Sequence, residues 1–292
     1  MKKTFKVYEA LKWASSFLEE HHYEKEIGHR LLQHHTGWSR ARMLAEMHTP
    51  LNEAVSEFFI EDVRRAASGI PVQHITGEET FYGRAFTVNE HVLIPRPETE
   101  ELIEAVVESV NDIFSGKLET APLNIIDVGT GSGIIAITLS LELSQSRVLA
   151  SDISSEGLAV AKQNGINLGA EVAFSEGDLL DPFITAGEKA SVIVSNPPYI
   201  PEGDRAMMKE NVKDHEPEMA LFAGVDGLDI YRRLVKQIPY VLNLPGVVAF
   251  EIGHDQGEAV RELLLKELPP TSNVRVLNDM NGNQRIVLAK VW

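Results

Sequence analysis

The sequence contains no cysteine, has no long apolar run, and carries fewer basic than acidic residues. Without cysteine the chain can form no disulfide, no zinc–thiolate site and no cysteine nucleophile, which is compatible with a reducing compartment. No uninterrupted apolar stretch approaches the roughly 20 residues of a membrane-spanning helix, and the amino-terminal residues are not followed by an apolar run of signal-peptide length. We therefore expect a cytoplasmic protein with no membrane partner.

The charge balance bears on possible partners. Lys and Arg number 27 against 43 Asp and Glu, a formal net charge of −16 over 292 residues. Non-specific affinity for nucleic acid comes from Lys and Arg that neutralise phosphates, so such a chain is poorly suited to tracking along DNA. An acidic chain suits a basic protein partner better than nucleic acid. The same net charge is also explained if it only keeps the protein soluble. We expect no direct nucleic-acid partner.

The first part of the chain has a helical pattern. Apolar residues recur at helical spacing as far as about residue 67, and breaks at Gly37 and Pro50 separate several helices. Ser39 and Asn52 stand where such helices would begin. The adjacent histidine pairs in this region do not predict a metal site, because neighbouring residues on a helix point apart. We predict a small helical domain over residues 1–75.

The pattern then changes twice. Residues 76–96 alternate with turn signals and predict a β-hairpin connector. This segment ends in Pro95-Arg96-Pro97-Glu98-Thr99-Glu100, where a proline and acidic residues also suit an ordinary first turn of a helix. Farther on, strands and helices alternate, which predicts an α/β domain over residues 97–292 that binds its ligands at the carboxyl ends of parallel strands.

A glycine-rich turn follows the first strand of that domain, in Asp127-Val128-Gly129-Thr130-Gly131-Ser132-Gly133. Glycines there let the backbone approach a ligand, and Asp152, which ends the next strand, is placed to accept hydrogen bonds from ribose hydroxyls. A nicotinamide dinucleotide has to be weighed, because Gly131-x-Gly133-x-x-Ala136 satisfies a loose dinucleotide pattern. However, Gly-x-Gly-x-Gly after an acidic residue is the form seen in S-adenosylmethionine-dependent methyltransferases. Gly177-Asp178-Leu179 resembles the methyltransferase segment that contacts the adenine.

These patterns predict S-adenosylmethionine as cofactor, with S-adenosylhomocysteine as product. The residues predicted to bind it are Gly129, Thr130, Gly131, Ser132, Gly133, Asp152, Asp178, Leu179 and Asn196.

The tetrapeptide Asn196-Pro197-Pro198-Tyr199 follows the apolar run of residues 190–195. Two prolines prevent the strand from continuing and leave a stiff loop whose carbonyl groups lack the usual N–H neighbours. Such a loop suits a planar –NH2 group, which it can hold by both hydrogens. Taken alone, the four residues fit an ordinary proline turn equally well.

Together the motifs resemble those of the protein-(glutamine-N5) methyltransferases that modify peptide chain release factors. The resemblance also covers stretches outside the glycine loop, namely Leu93 to Glu100, Asn196 to Pro201, Glu216-Pro217, Ala220-Leu221, Gly224, Asp226-Gly227-Leu228 and Asp279-x-x-Gly282-x-x-Arg285. It implies a class I, Rossmann-like methyltransferase with a mostly parallel seven-stranded sheet and a small all-α domain that helps hold the release factor. The Gly-Gly-Gln loop of a class I release factor would enter the active site. Leu179 departs from relatives that carry an aromatic residue beside the adenine.

The resemblance also implies roles for the site residues. Asn196, Pro197 and Tyr199 would be catalytic, substrate would be bound by these three together with Pro198, Arg96 and Glu98, and no metal is expected. Two alternatives stay open. Asn-Pro-Pro-Tyr alone is shared with enzymes that methylate exocyclic amines of adenine or guanine in DNA or RNA, and a non-catalytic binding module would use the same fold.

Overall fold

The structure is a computed structural model that describes residues 5–114, 123–208, 213 and 215–292. It divides into two compact units. The first contains the chain up to Glu78 and, among the described residues, also Lys213 and His215, and the second contains Glu79–Met208 and Glu216–Trp292. The division lies close to the predicted end of the helical domain, and apart from Glu78 the hairpin belongs to the second unit. The functions assigned to the three predicted segments stay predictions.

The first unit is helical. Its helices are α1 (Val7–Glu20), α2 (Glu26–Thr36), α3 (Arg40–Ala45), α4 (Glu53–Ala67) and α5 (Val72–Thr76). Ser39 and Asn52 cap α3 and α4, as predicted, because their side chains accept hydrogen bonds from backbone N–H groups three residues later. Gly37 ends α2 in the left-handed conformation that glycine adopts readily. The apolar faces of these helices meet in one core around Leu18, Leu32 and Phe59.

The second unit alternates strands and helices. Its strands are β1 (Glu78–Phe81), β2 (Arg84–Thr87), β3 (Leu123–Val128), β4 (Ser146–Asp152), β5 (Val172–Glu176), β6 (Ala190–Ser195), β7 (Leu242–Glu251), β8 (Asn273–Asn278) and β9 (Gln284–Val291). Its helices are α6 (Glu98–Phe114), α7 (Ile134–Glu142), α8 (Ser155–Leu168), α9 (Asp181–Ala186), α10 (Asp229–Val241) and α11 (Gly257–Glu267).

Strands β3 to β9 form one sheet with the order β5-β4-β3-β6-β7-β9-β8. The pairings from β5 to β7 are parallel, whereas β9 runs antiparallel to both of its neighbours. The predicted seven-stranded, mostly parallel sheet is therefore confirmed. Strands β1 and β2 form a separate hairpin.

Both faces of the sheet are buried, which explains why the middle residues of its central strands are apolar. Successive side chains of a strand point to opposite faces, so Ile125 and Ile126 pack into two different cores. Val192 and Ile193 on the adjacent strand do the same. Full burial of each such side chain contributes roughly 1.5–3 kcal/mol, so the central strands hold the sheet rigidly.

Strand register brings three loops to one edge of the sheet. Val128 at the end of β3 is paired with Ser151 on β4 and with Ser195 on β6. The segments that follow these residues begin with Gly129, Asp152 and Asn196, and they therefore emerge side by side. The predicted site residues on these three strands meet because of this register.

The last part of the predicted β-hairpin connector, residues 76–96, differs from the prediction. Val92–Ile94 does not form a strand. Val92 is buried beside Val88 and Val160, and the Ile94 N–H donates to the Glu216 side chain at 3.4 Å instead of to a neighbouring strand. The apolar residues of this segment reflect the packing of an irregular stretch of chain. In the described part of the chain, every helix is too short or too polar to cross a lipid bilayer.

Candidate active site

The turn between β3 and α7 is shaped by glycines with positive φ. Gly129, Gly131 and Gly133 have φ angles of +70°, +54° and +86°, in the left-handed region where side chains are disfavoured. A Cβ added to Gly129 or Gly131 would lie more than 4 Å from the surrounding atoms, and both residues line a cavity. At Gly133 a Cβ would approach Ile137 Cδ1 to 2.7 Å. The first two glycines therefore leave room for a ligand, whereas the third allows close helix packing.

Asp127 stabilises this turn from the protein interior. Its Oδ2 accepts hydrogen bonds from Thr130 Oγ1 at 2.6 Å and from the Ala136 N–H at 3.1 Å. Burial raises the pKa of Asp127 to about 7, although both hydrogen bonds act to lower it. The carboxyl group fixes the shape of the loop from inside the protein.

Asp152 reaches the same turn from β4. Its Oδ2 accepts from the Gly131 N–H at 2.7 Å, and its Oδ1 accepts from the Ser154 N–H at 2.9 Å. Each carboxylate oxygen can accept a second hydrogen bond, so the group that holds the loop can still receive a ligand hydroxyl.

Asp178 and Leu179 follow β5. Leu179 has a φ of +51°, an unusual backbone conformation for a residue with a branched side chain. Its carbonyl oxygen accepts a hydrogen bond from Ser151 Oγ at 2.8 Å, which ties the segment to β4. Asp178 forms an ion pair with Arg233. Asp178, Leu179 and Arg233 all line the cavity.

Asn196 and the two prolines form another wall of the cavity. Ser195 Oγ donates to the Val128 carbonyl oxygen at 2.6 Å, which joins the end of β6 to the start of the glycine loop. The Asn196 Nδ2 group donates to Thr99 Oγ1 at 3.3 Å. These contacts hold Asn196 beside the predicted cofactor loop.

Tyr199 does not line the cavity. Its ring packs against the core that contains Tyr231, and burial raises the pKa of its phenol to about 12. Its carbonyl oxygen accepts from Gln256 Nε2 at 2.9 Å, and a Cβ on Gly227 would approach that oxygen to 2.2 Å. In the structure, Tyr199 anchors the loop to the protein interior, and its predicted contact with substrate stays a prediction.

Arg96 lines the cavity and forms an ion pair with the buried Glu216, Nη2 to Oε1 at 2.6 Å. Glu216 also accepts from the Ile94 N–H. Burial raises the pKa of Glu216, and Arg96 opposes that shift. Glu98 begins α6 outside the cavity wall.

The cavity has a volume of about 330 Å³. Most of the predicted site residues line it, namely Gly129, Thr130, Gly131, Ser132, Asp152, Asp178, Leu179, Asn196, Pro197, Pro198 and Arg96. Gly133, Glu98 and Tyr199 do not. Five segments that are far apart in sequence therefore meet in one space.

Sequence reasoning missed several residues that support the site. Asn164 on α8 is buried and exchanges hydrogen bonds with both backbone groups of Thr87, while its Nδ2 also donates to the Ser132 carbonyl oxygen at 2.9 Å. It thereby joins the hairpin to the glycine loop. Glu251 ends β7 and accepts from Thr99. An acidic residue at the end of an apolar strand was a signal for Glu251, whereas Asn164 stands in an unremarkable helical pattern.

Comparison with known proteins supplies independent information. The family model described as the PrmC N-terminal domain matches residues 9–77, and that described as the Methyltransferase small domain matches residues 106–215. A protein of Bacillus cereus named "Release factor glutamine methyltransferase" is 48% identical over 98% of this chain and 99% of its own length. The protein of that name from Bacillus subtilis is 48% identical over 98% of each.

Solved structures show the same fold. The hMettl16 catalytic domain, in a crystal structure with the MAT2A 3'UTR hairpin 6, superposes with a TM-score of 0.54. The match covers 79% of this chain and 82% of that chain at 16% identity. This likeness concerns the fold alone.

Proposed function

The chain belongs to the release factor glutamine methyltransferase family, and from that premise we propose the reaction performed in the cavity. The enzyme transfers a methyl group from S-adenosylmethionine to the side-chain amide nitrogen of the glutamine in the Gly-Gly-Gln motif of class I release factors. The product of the cofactor is S-adenosylhomocysteine. Because release factors act on ribosomes, we place the activity in the cytoplasm. The observation that carries the proposal is that Asn196 and Pro197 share one cavity with the glycine loop.

The cavity fits the cofactor. Gly129 and Gly131 form a cradle that side chains at these positions would fill, and Asp152 holds the cradle by the Gly131 N–H. We propose that the glycine loop and Asp152 hold the amino acid and ribose parts, and that Asp178 and Leu179 contact the adenine. When bound, S-adenosylmethionine supplies a methyl group carried on a positively charged sulfur.

The protein's task is chiefly to position the substrate amide. An amide nitrogen is a poor nucleophile because its lone pair is delocalised into the carbonyl group. We propose that the Asn196 side-chain oxygen and the Pro197 carbonyl oxygen each accept one N–H of the glutamine, which fixes the nitrogen and stabilises the positive charge that develops on it. Methyl transfer would form one N–C bond as the bond between the methyl group and sulfur breaks, and the nitrogen would release one proton to an acceptor or to water. No general base is then required.

The prolines suit this role for a physical reason. Neither Pro197 nor Pro198 has an N–H, so neither residue offers a donor that would compete for the acceptor groups of the loop. The Gln256 side chain donates a hydrogen bond to the carbonyl oxygen of Tyr199, the residue that follows the two prolines. The acceptors are therefore held at fixed positions before the substrate arrives.

We also propose that the helical first unit helps hold the release factor and that nucleic acid is not a substrate. The acidic balance of the whole chain supports the second statement, since it disfavours phosphate backbones. The first statement rests on the family to which the chain belongs. Arg96 and Glu98 are proposed to meet the incoming substrate loop, which the position of Arg96 on the cavity wall supports.

The test is a labelling experiment with radioactive S-adenosylmethionine. The protein is offered release factor, release factor with its Gly-Gly-Gln glutamine changed to Glu, DNA and ribosomal RNA. We expect label only in the unaltered release factor. Label in DNA or ribosomal RNA, or undiminished label in the altered release factor, would contradict the proposal.

A further inference from the structure

The motif Pro95 to Glu100 contains a buried threonine that contacts the proposed catalytic asparagine. Thr99 Oγ1 accepts a hydrogen bond from Asn196 Nδ2 at 3.3 Å and donates to Glu251 Oε2 at 2.6 Å. Thr99 is fully buried and Glu251 is 1% exposed, so water does not compete for either group. The three side chains come from the start of α6 and from the ends of β6 and β7. They form a continuous chain of donors and acceptors.

We infer that Thr99 and Glu251 are positioning residues that fix which way the Asn196 amide faces. This inference rests on the proposed function, because it concerns the asparagine that is to hold the glutamine amide.

Glu251 sets the direction of the hydrogen bonds in this chain. An ionised carboxylate only accepts hydrogen bonds, and a threonine hydroxyl has one proton. When that proton is given to Glu251, the hydroxyl can offer Asn196 only a lone pair. Asn196 must therefore turn its –NH2 group toward Thr99, and its oxygen is left for the opposite side.

The reverse orientation is disfavoured at both ends. A turned amide would bring its oxygen against a hydroxyl oxygen that has no free proton, and two acceptors repel each other. Its –NH2 group would replace the acceptor proposed to hold a hydrogen of the glutamine –NH2 group. The asparagine could then no longer accept a hydrogen bond from the glutamine amide, which is its proposed role. The chain through Thr99 prevents this exchange.

The surroundings of Glu251 decide when the constraint operates. Burial raises the pKa of Glu251 to about 7, while the Thr99 hydrogen bond and Arg285 act to lower it. Glu98 raises the pKa further and Arg96 lowers it. Tyr199 also faces this carboxyl group, and it is uncharged because burial raises its pKa to about 12. At pH 8.5 Glu251 is ionised and acts as an acceptor only.

The principal test is Thr99→Val, which keeps the shape of the side chain and removes its hydroxyl. At pH 8.5 we expect kcat with release factor to fall about 10- to 100-fold, with KM and the calorimetric Kd for S-adenosylmethionine within about threefold of wild type. Thr99→Ser keeps the hydroxyl and should return kcat to within about threefold. The matched control is Thr138→Val, because Thr138 is equally buried and its hydroxyl has no partner in the described residues. The control should leave kcat within about twofold.

Glu251→Met is a second test of the inference, and it remains available if the Thr99 variants fail to fold. It removes the acceptor and frees the Thr99 proton to turn toward Asn196. Burial outweighs the favourable contacts of the ionised Glu251 carboxylate, and Arg285 keeps its ion pair with Asp279, so removing this charge relieves a cost of folding. We expect kcat to fall about tenfold or more without loss of thermal stability. If Glu251 had a purely structural role, this change would lower thermal stability and leave kcat of the folded protein unchanged.

The deciding comparison uses Asn196→Ala as background. If Thr99 acts through Asn196, adding Thr99→Val to Asn196→Ala changes kcat by less than about twofold. If Thr99→Val lowers kcat by the same factor in both backgrounds, or leaves wild-type kcat unchanged, the inference is wrong. Wild-type activity on release factor is measured in the same series, so failure of the proposed function is seen separately from failure of this inference.

Discussion

The Asp152 carboxylate accepts the Gly131 backbone N–H at 2.7 Å, so the residue predicted to bind the cofactor ribose also holds the loop that surrounds the cofactor. Its second oxygen accepts from Ser154 at the start of α8. One side chain therefore couples the ends of two strands. A substitution at Asp152 should affect the ligand contact and the shape of the site together.

We expect Asp152→Ala to weaken binding of S-adenosylmethionine by about 1–3 kcal/mol, because ligand hydroxyls and the Gly131 N–H lose a partly buried acceptor. Isothermal titration calorimetry measures this directly. The control is Glu156→Ala, which changes an exposed residue in the first turn of α8. It should leave the affinity for S-adenosylmethionine unchanged. Equal affinity in Asp152→Ala and wild type would refute the placement of the ribose.

Asn196→Ala should lower kcat by roughly 10²–10³, with much less change in KM, since it removes an acceptor whose contact strengthens in the transition state. Asn196→Asp is sharper, because it keeps an acceptor but loses the –NH2 group that donates to Thr99. We expect Asn196→Asp to retain cofactor affinity and lose most turnover. Single-turnover assays separate methyl transfer from product release. A wild-type rate of methyl transfer by Asn196→Ala would contradict the proposed mechanism.

Deleting residues 1–75 should spare cofactor binding and raise KM for the release factor. The reason is that, among the residues that the structure describes, those lining the cavity belong to the second unit. Thermal unfolding and calorimetry with S-adenosylmethionine establish that the shortened chain is folded, and steady-state kinetics give KM. A folded truncation that methylates intact release factor at the wild-type KM would remove the recognition role of the helices.

The buried Asp127 should make stability fall as pH rises. Its pKa is about 7 in the folded protein against an ordinary value of 3.8, so between these values the native state keeps a proton that the unfolded chain has lost. The native state then binds more protons than the unfolded state, and the free energy of unfolding decreases with increasing pH. The penalty is complete above about pH 7, and for a shift of this size it is on the order of 4 kcal/mol.

Asp127→Asn isolates this effect, since an asparagine oxygen can still accept from Thr130 and Ala136 without ionising. Denaturant unfolding of both proteins at pH 4.5 and pH 8 gives the comparison. We expect wild type to lose stability relative to Asp127→Asn on going from the lower to the higher pH. A difference between the two proteins that does not change with pH would contradict the raised pKa.

The sequence determined the layered fold and the main parts of the site. Alternating apolar segments predicted the parallel sheet, and ligand-binding motifs at successive strand ends predicted one binding edge, because parallel strands all present their carboxyl ends there. The glycine loop, Asp152 and Asn196 meet there as expected, through the pairing of Val128 with Ser151 and Ser195.

The tertiary structure decided which side chains face the cavity and which partners hold them. Tyr199 is turned into the core, and Thr99 and Glu251 lie 152 positions apart yet share a hydrogen bond of 2.6 Å. A local pattern gives the face and the end of each element, because these follow from the repeat of the backbone. It does not give the direction of a side chain in an irregular loop or its partner on a distant strand, since those depend on how the packed elements meet.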